Sequence, residues 1–378
     1  MRFVLFYHSV RSDWNHGNAH FLRGVASELQ SRGHVVRIYE PNDAWSAKNL
    51  VASHGEEALS AYRSAYPALR PTCYDPAALD LDEALRNADV VIVHEWNPPE
   101  LIARIGKHRA RGGRYALLFH DTHHRSVTDR EAMAAFDLSA YDGVLAFGDV
   151  IRRLYLQRGW ARRAYTWHEA ADTRVFYPRT PSSIGAPQGD LVWIGNWGDE
   201  ERSKELQEFL LNPVKELGLK AKVYGVRYPD HALAALRDAG IEYGGYLPNH
   251  EVPEVFAAHR VTVHVPRRAY TTLIPGIPTI RPFEALACGI PLISAPWQDT
   301  EGLFSPGLDF LVARDGAEMK ALLGRVLADP AFAQSIAERG RDTITARHTC
   351  AHRTDELLRI CRDLTGVREQ DATLGGTS

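Results

Sequence analysis

Arg281-Pro-Phe-Glu-Ala-Leu-Ala-Cys-Gly-Ile-Pro-Leu-Ile-Ser294 reads as a short helix, a stop and a strand. Pro282 suits the first helical turn, where its missing N–H removes no hydrogen bond. Gly289 suits the C′ position, which ends a helix in the left-handed conformation. About two turns of helix lie between them, and the β-rich run Pro291–Ser294 follows at once. A helix feeding directly into a strand belongs to parallel sheets covered by helices on both faces. The start of this helix presents unpaired N–H groups, an arrangement that favours a phosphate.

The same rhythm runs outward in both directions. The first half has strand candidates at Phe3–Tyr7, Val35–Tyr39, Val90–Val93, Tyr115–Phe119 and Gly143–Phe147. Between the first two, Gly17–Arg32 carries Phe21, Leu22, Val25 and Leu29 on one helical face and stops at Gly33. Val90-Val-Ile-Val93 is apolar on both faces, as a parallel strand between helices requires. The second half has candidates at Leu191–Ile194, Lys222–Tyr224, Val261–Val265, Pro291–Ser294 and Asp309–Val312. Asp315 and Glu318 form a capping box before Met319, Leu322, Leu323, Val326 and Leu327, and a last helix is expected over Thr354–Leu364. Between the halves, Tyr177–Gly189 holds Pro178, Pro181 and Pro187 without periodicity. The expectation is α/β: two Rossmann-like doubly wound domains, 1–177 and 190–367, joined by a linker over 178–189 and facing each other across a cleft. The last helix is expected to return to the first domain, and the polar stretch 368–378 to be disordered.

Length and charge agree and narrow the partners. The 378 residues suit two domains, and 44 basic against 47 acidic side chains leave a net charge of −3. Such a balance supplies no overall field for nucleic acid, which is therefore not an expected partner. No apolar run reaches the roughly 18 residues of a membrane span. MRFVLFYHSV is too short in its apolar part for a signal-peptide core and reads as a buried strand. Cys73, Cys288, Cys350 and Cys361 are widely spaced and read as unpaired thiols of a reducing, cytoplasmic setting. G-x-G-x-x-G follows none of these strands, which disfavours hydride transfer with a dinucleotide.

In sheets of this type ligands bind beyond the carboxyl ends of the strands. Glu284 sits near a helix start, as a capping carboxylate or as an acceptor for a ribose diol. After the first strand come His8, Asn15 and Gly17, and after the third His94 and Glu95. His120-Asp121-Thr-His123-His124 packs three histidines and one aspartate into five residues, yet no fourth metal ligand is evident and no metal is expected. Arg152–Arg163 interleaves aromatic and basic side chains, either as solvated helix ends or as a weak peripheral contact with anionic lipid.

The run Phe283–Ser294, followed by Trp297–Leu311 and Ala313-Arg-Asp, resembles the nucleotide-sugar half of GT-B glycosyltransferases, in the CgeB-like (spore-maturation-type) branch near family 4. Glu338-Arg-Gly-Arg341 and His348–Arg353 are similar to that group's closing segment, and His168–Pro178 resembles its N-G-V-D-x-x-x-F-x-P stretch. The resemblance is best over about residues 140–360.

What the resemblance implies is a retaining, metal-independent transfer of sugar from a nucleotide-diphosphate donor, with UDP, GDP or dTDP as the carrier and no further cofactor. Glu284 then holds the donor ribose, flanked by Arg281 and Phe283. Gly195 and Asn196 open the first donor loop, where Arg202, with Lys204 behind it, meets the diphosphate. Tyr246 frames the base, or is a core aromatic. His120 matches the family histidine that hydrogen-bonds the donor sugar. His8, Asn15, Gly17, His94, Glu95 and Asp121 face the acceptor, which is saccharide, lipid-linked, protein or small molecule. The sequence departs from the pattern at Gly276, where family 4 carries a second glutamate; Arg267 and Arg268, after a strand, compensate at the diphosphate or are surface residues. That departure keeps two other readings open: a non-catalytic nucleotide-sugar-binding scaffold, and a nucleotide-sugar hydrolase or epimerase.

Overall fold

The computed structural model describes residues 1–179, 187–198 and 200–365; part of the expected linker, residues 180–186, and the expected tail lie outside them. The first half builds a seven-stranded parallel sheet from β1 (Arg2–Phe6), β2 (Val35–Pro41), β3 (Thr72–Tyr74), β4 (Val90–His94), β5 (Ala116–Asp121), β6 (Gly143–Ala146) and β7 (Ala164–Thr166), in the order β3-β2-β1-β4-β5-β6-β7. The second builds a six-stranded one from β8 (Gly189–Ile194), β9 (Ala221–Tyr224), β10 (Ile241–Tyr243), β11 (His259–His264), β12 (Leu292–Ser294) and β13 (Leu311–Val312), in the order β10-β9-β8-β11-β12-β13. All pairings are parallel.

Every strand candidate of the sequence is a strand, with ends shifted by one or two residues. Three strands had no apolar run to announce them: β3, β7 and β10, each three residues long and each at a sheet edge. An edge strand is paired on one side only and needs no continuous apolar run. Central strands need one, and Val90–Val93 is completely buried.

The helices obey their signals with one refinement. Ile280–Cys288 runs for nine residues from Thr279 to Gly289, whose φ of +69° ends it in the left-handed region. Pro282 lies in its first turn, but Glu284 falls a turn later and so does not cap it. At Gly316–Ala328 only half of the capping box forms. The Asp315 carboxylate accepts from the Glu318 N–H at 2.8 Å, whereas that of Glu318 accepts from the N–H of Arg314.

In each sheet the strand order reverses once, between β1 and β4 and between β8 and β11. These reversals open crevices where a loop can sit over the sheet. The loop after β1 is pinned from below by Arg23, a buried cation on the helix Ala19–Ser31. Its guanidinium donates to the Val10 carbonyl at 2.8 Å and pairs with Asp13 at 2.7 Å, between the rings of Tyr62 and Tyr66.

The last helix, Cys350–Thr365, lies against Ala19–Ser31, and its Leu357, Ile360 and Cys361 complete the apolar layer of the first sheet. Trp167 donates its indole N–H to the Arg353 carbonyl at 2.8 Å, and Arg353 donates to the carbonyl of His168 at 3.0 Å. Close approach is set by Gly24, where a Cβ would fall 2.4 Å from Cys350 Sγ and 2.8 Å from Asp172 Cβ. Gly24→Ala therefore forces the two helices apart and is expected to cost about 1–3 kcal/mol, read as a lower unfolding midpoint. An unchanged midpoint would refute this account of the helix contact.

Candidate functional site

A cleft of about 790 Å³ lies where the carboxyl ends of the two sheets meet. Its walls come from the loops after β1, β2, β4 and β5 on one side and after β8, β9, β10 and β11 on the other. The two crevices at the strand reversals thus open toward each other. Asn15, after β1, accepts a hydrogen bond from Asn196, after β8. Asp13 accepts from the Tyr246 hydroxyl at 2.5 Å and from the Asn249 N–H at 3.2 Å, so one carboxylate ties the first half to the second.

The wall from the second half is cationic. Arg202, Arg267 and Arg281 all line it. Arg202 lies 5.1 Å over the Trp193 ring and donates to the carbonyls of Val265, at 2.9 Å, and Asn196. Its Nε is enclosed without a partner, and no carboxylate among the described residues pairs with it. Burial, and then the like charge of Arg267, push this guanidinium down to about 9. A cation destabilised in this way gains strongly from an arriving anion. Arg267 reaches Glu201 at 2.6 Å. Beside them Thr279, Ile280 and Arg281 bring the start of the Ile280–Cys288 helix to the cleft, with no side chain capping its N–H groups.

Glu284 is not on this wall. It is fully buried behind Arg281, with which it pairs. Its Oε1 accepts from His20 Nδ1 at 2.9 Å and from the Asn249 amide at 3.3 Å. His20 in turn accepts from the Asp172 N–H at 2.7 Å through Nε2, which leaves Nδ1 as its donor, and it stacks on Phe176 at 3.9 Å. Where a direct ribose contact was expected of Glu284, the structure gives its carboxylate three hydrogen bonds from protein groups and places it behind Arg281, which it holds for the cleft.

The other wall carries His8, His16, His123 and His124, with His94 and His120 buried behind them. Each keeps at least one ring nitrogen for which the fold provides no charged partner within a normal hydrogen bond. Burial dominates their titration, pushing His16 and His120 down to about 3 and His123 to about 2. These imidazoles are neutral and polar, suited to uncharged hydrogen-bonding ligands.

Several other sequence candidates lie away from the cleft. His120 has no exposure and packs on Trp167 at 4.8 Å, because its side chain points into the helix layer rather than off the strand end. His94 is likewise inside β4; Glu95 is buried against Arg125, and Asp121 accepts from the Tyr155 hydroxyl at 2.7 Å. Lys204 is exposed outside the cleft, Arg268 pairs outward with Glu205 at 3.0 Å, and Phe283 is core. His8, Asn15, Gly17, Gly195, Asn196, Arg202, Tyr246, Arg267 and Arg281 do line it. Trp96, in the stretch expected at the carboxyl end of the third strand, lines it as well, and the sequence reading passed over Trp45, Glu169 and Tyr270, which also line it. Only Glu169 had a signal, its place in the His168–Pro178 stretch. Gly276 has φ +98°, and a Cβ there would lie 1.9 Å from Thr300 Oγ1, so no side chain fits. Among the described residues no group of three or more His, Cys, Asp or Glu is arranged to hold a metal ion.

Comparison with known proteins places this geometry. Residues 202–359 match a family model described as glycosyl transferase-like. No curated protein matches the chain. Solved structures match it over nearly its whole length. Sucrose-phosphate synthase of Thermosynechococcus elongatus is 16% identical, with a TM-score of 0.65 over 97% of this chain and 99% of that one. HepE of Anabaena, solved with UDP and glucose, is 12% identical, with a TM-score of 0.67 over 96% and 100%. An alpha-glucosyltransferase in complex with UDP is 14% identical, with a TM-score of 0.67 over 96% and 99%. The chain thus has the GT-B fold, and its residues 202–359 are similar to a glycosyl transferase-like family.

Two outcomes follow from the site. Glu284→Ala strips the common partner from His20, Asn249 and Arg281 inside the protein, and should lower unfolding stability by roughly 3–5 kcal/mol; a loss under 1 kcal/mol would contradict the hub. The histidines, held below their unfolded value of about 6.5, bind protons only in the unfolded chain between that pH and about 3. Their contribution is thus intact above pH 6.5 and lost as pH falls through that window, by up to about 1.4 kcal/mol per pH unit for each. Melting temperature followed from pH 7 to 4 should drop steeply, and less so in His120→Phe; a flat profile would be inconsistent with neutral burial.

Proposed function

We propose that this chain is a glycosyltransferase that binds a nucleoside-diphosphate sugar in the cleft and transfers its glycosyl group to an acceptor hydroxyl. The observation that carries this reading is Arg202, a cation without a carboxylate partner among the described residues, beside Arg267, Arg281 and an uncapped helix start. When the bond from sugar to diphosphate breaks, negative charge grows on the leaving phosphate oxygen. Preoriented guanidinium and peptide N–H groups stabilise that charge without reorganising. Three arginines and a helix start suffice for this task, so the reading includes transfer that needs no metal. It also includes retention of anomeric configuration and a uridine, guanosine or thymidine carrier, with uridine the first to test because HepE and the alpha-glucosyltransferase were solved with UDP.

The acceptor enters from the wall of His8, Asn15 and Gly17, between the half-exposed indoles of Trp45 and Trp96. Asp13, Asn15 and Glu284 already bridge the halves across the cleft. Gly276, which stands where the resembling family carries a second glutamate and where an added Cβ would meet Thr300, is the observation that favours a non-catalytic nucleotide-sugar-binding protein instead. No helix among the described residues is long and apolar enough to cross a membrane.

A thermal-shift panel of UDP, GDP, dTDP and their sugars tests the reading. The cognate ligand at ~100 times its dissociation constant adds about 2.7 kcal/mol of stability. Arg202→Met should weaken it by about 10- to 100-fold, the worth of a charge-assisted hydrogen bond. Product analysis then separates the alternatives: transfer needs an acceptor, an epimerase does not, and a scaffold turns nothing over. If none of these nucleotides stabilises the protein, the proposal fails.

A further inference from the structure

Glu169 is the least explained charge-bearing group in the molecule. It follows β7, is 1% exposed, and lines the cleft. Its Oε1 is buried with no hydrogen-bond partner. Around it lie two other carboxylates, Glu284 and Glu95, with Arg281 and the Tyr270 ring. Leaving a polar atom unpaired inside a protein costs about 1–3 kcal/mol, so the fold tolerates a loss here that an apolar residue would avoid.

Its backbone is held from both sides. His168, just before it, hydrogen-bonds Glu301 at 2.9 Å, and its carbonyl accepts from Arg353. Two residues after it, Ala171 donates to the His348 carbonyl at 3.0 Å, and Asp172 donates to His20. The chain that carries this buried carboxyl is therefore fixed on both sides of it.

Burial first, and then the charges of Glu284 and Glu95, raise its pKa well above the carboxylate range; the opposing effect of Arg281 is smaller. A neutral carboxylic acid both donates and accepts one hydrogen bond, which matches a sugar hydroxyl. It also avoids repelling a diphosphate bound at Arg281 nearby.

We propose that Glu169 binds the transferred sugar of the donor directly, hydrogen-bonding its hydroxyls and so selecting among sugars carried on one nucleotide. This rests on the nucleotide-sugar reading above and adds the residue that recognises the glycosyl group.

The test compares affinity for UDP with affinity for UDP-glucose, by calorimetry, in the wild type, E169Q and E169M. If the ligand panel selects another base, its diphosphate and sugar form replace this pair. E169M fills similar volume and removes the orphaned oxygen, so the unliganded protein should melt at the same temperature or higher. Its preference for the sugar nucleotide over the free diphosphate should fall about tenfold, with diphosphate affinity unchanged. E169Q keeps a donor and an acceptor and should hold that preference within about threefold. The inference is overturned if E169M keeps the preference, if it loses affinity for both ligands together with melting temperature, or if E169Q behaves as E169M does. Failure of the wild type to bind any nucleotide would instead overturn the glycosyltransferase reading itself.

Discussion

The arrangement of the cleft depends on one buried carboxylate. Glu284 stands on the Ile280–Cys288 helix of the second half, yet its partners include His20 from the first helix of the chain. A charge inside a protein is tolerable only when paired and hydrogen-bonded. Glu284 meets that demand with Arg281, His20 and Asn249 together. The requirement orients Arg281 toward the cleft and fixes the β1 loop against the donor side. It also explains why His20 is held by the Asp172 N–H and the Phe176 ring, both from the stretch that leads out of the first half. The His168–Pro178 segment thus serves the site indirectly through His20 and, on our proposal, directly through Glu169.

Opposite electrostatic characters face each other across the cleft. The second half presents guanidinium groups and peptide N–H groups, and the first half presents imidazoles, indoles and amides together with the carboxyl groups of Asp13, Asp43 and Glu169. A nucleotide sugar has the same division, with charge at the diphosphate and uncharged hydroxyls at the sugar. The net charge of −3 concealed this, because a few arginines concentrated on one wall vanish in a sum over 378 residues.

Much of the fold was legible because its signals are local. Apolar runs marked all the central strands, and Gly289 and Asp315 marked helix ends through the backbone geometry they favour. The three overlooked strands, β3, β7 and β10, are edges whose pairing is decided by neighbours rather than by their own composition. The site was legible in position but not in orientation. Residues following strands were rightly sought near the cleft, and Asn15, Asn196, Arg202 and Arg267 are there. His94 and His120 are near the ends of β4 and β5 too, but both are buried, His94 behind His8 and His16 and His120 against Phe21 and Trp167. Alternation along a strand sends neighbouring side chains to opposite faces, so a shift of one residue separates a wall residue from a core one.

The two parallel sheets and the helix start suited to an anion were readable in the residues alone, since each follows from short-range periodicity and turn chemistry. Only the tertiary structure decided which residues look into the cleft. It buried Glu284 behind Arg281, closed Gly276 to any side chain with Thr300, and left the Oε1 of Glu169 without a partner. The reason is that burial depends on how separate elements come together, as in the contact of His20 with Glu284, 264 positions apart, and no local pattern encodes such a contact.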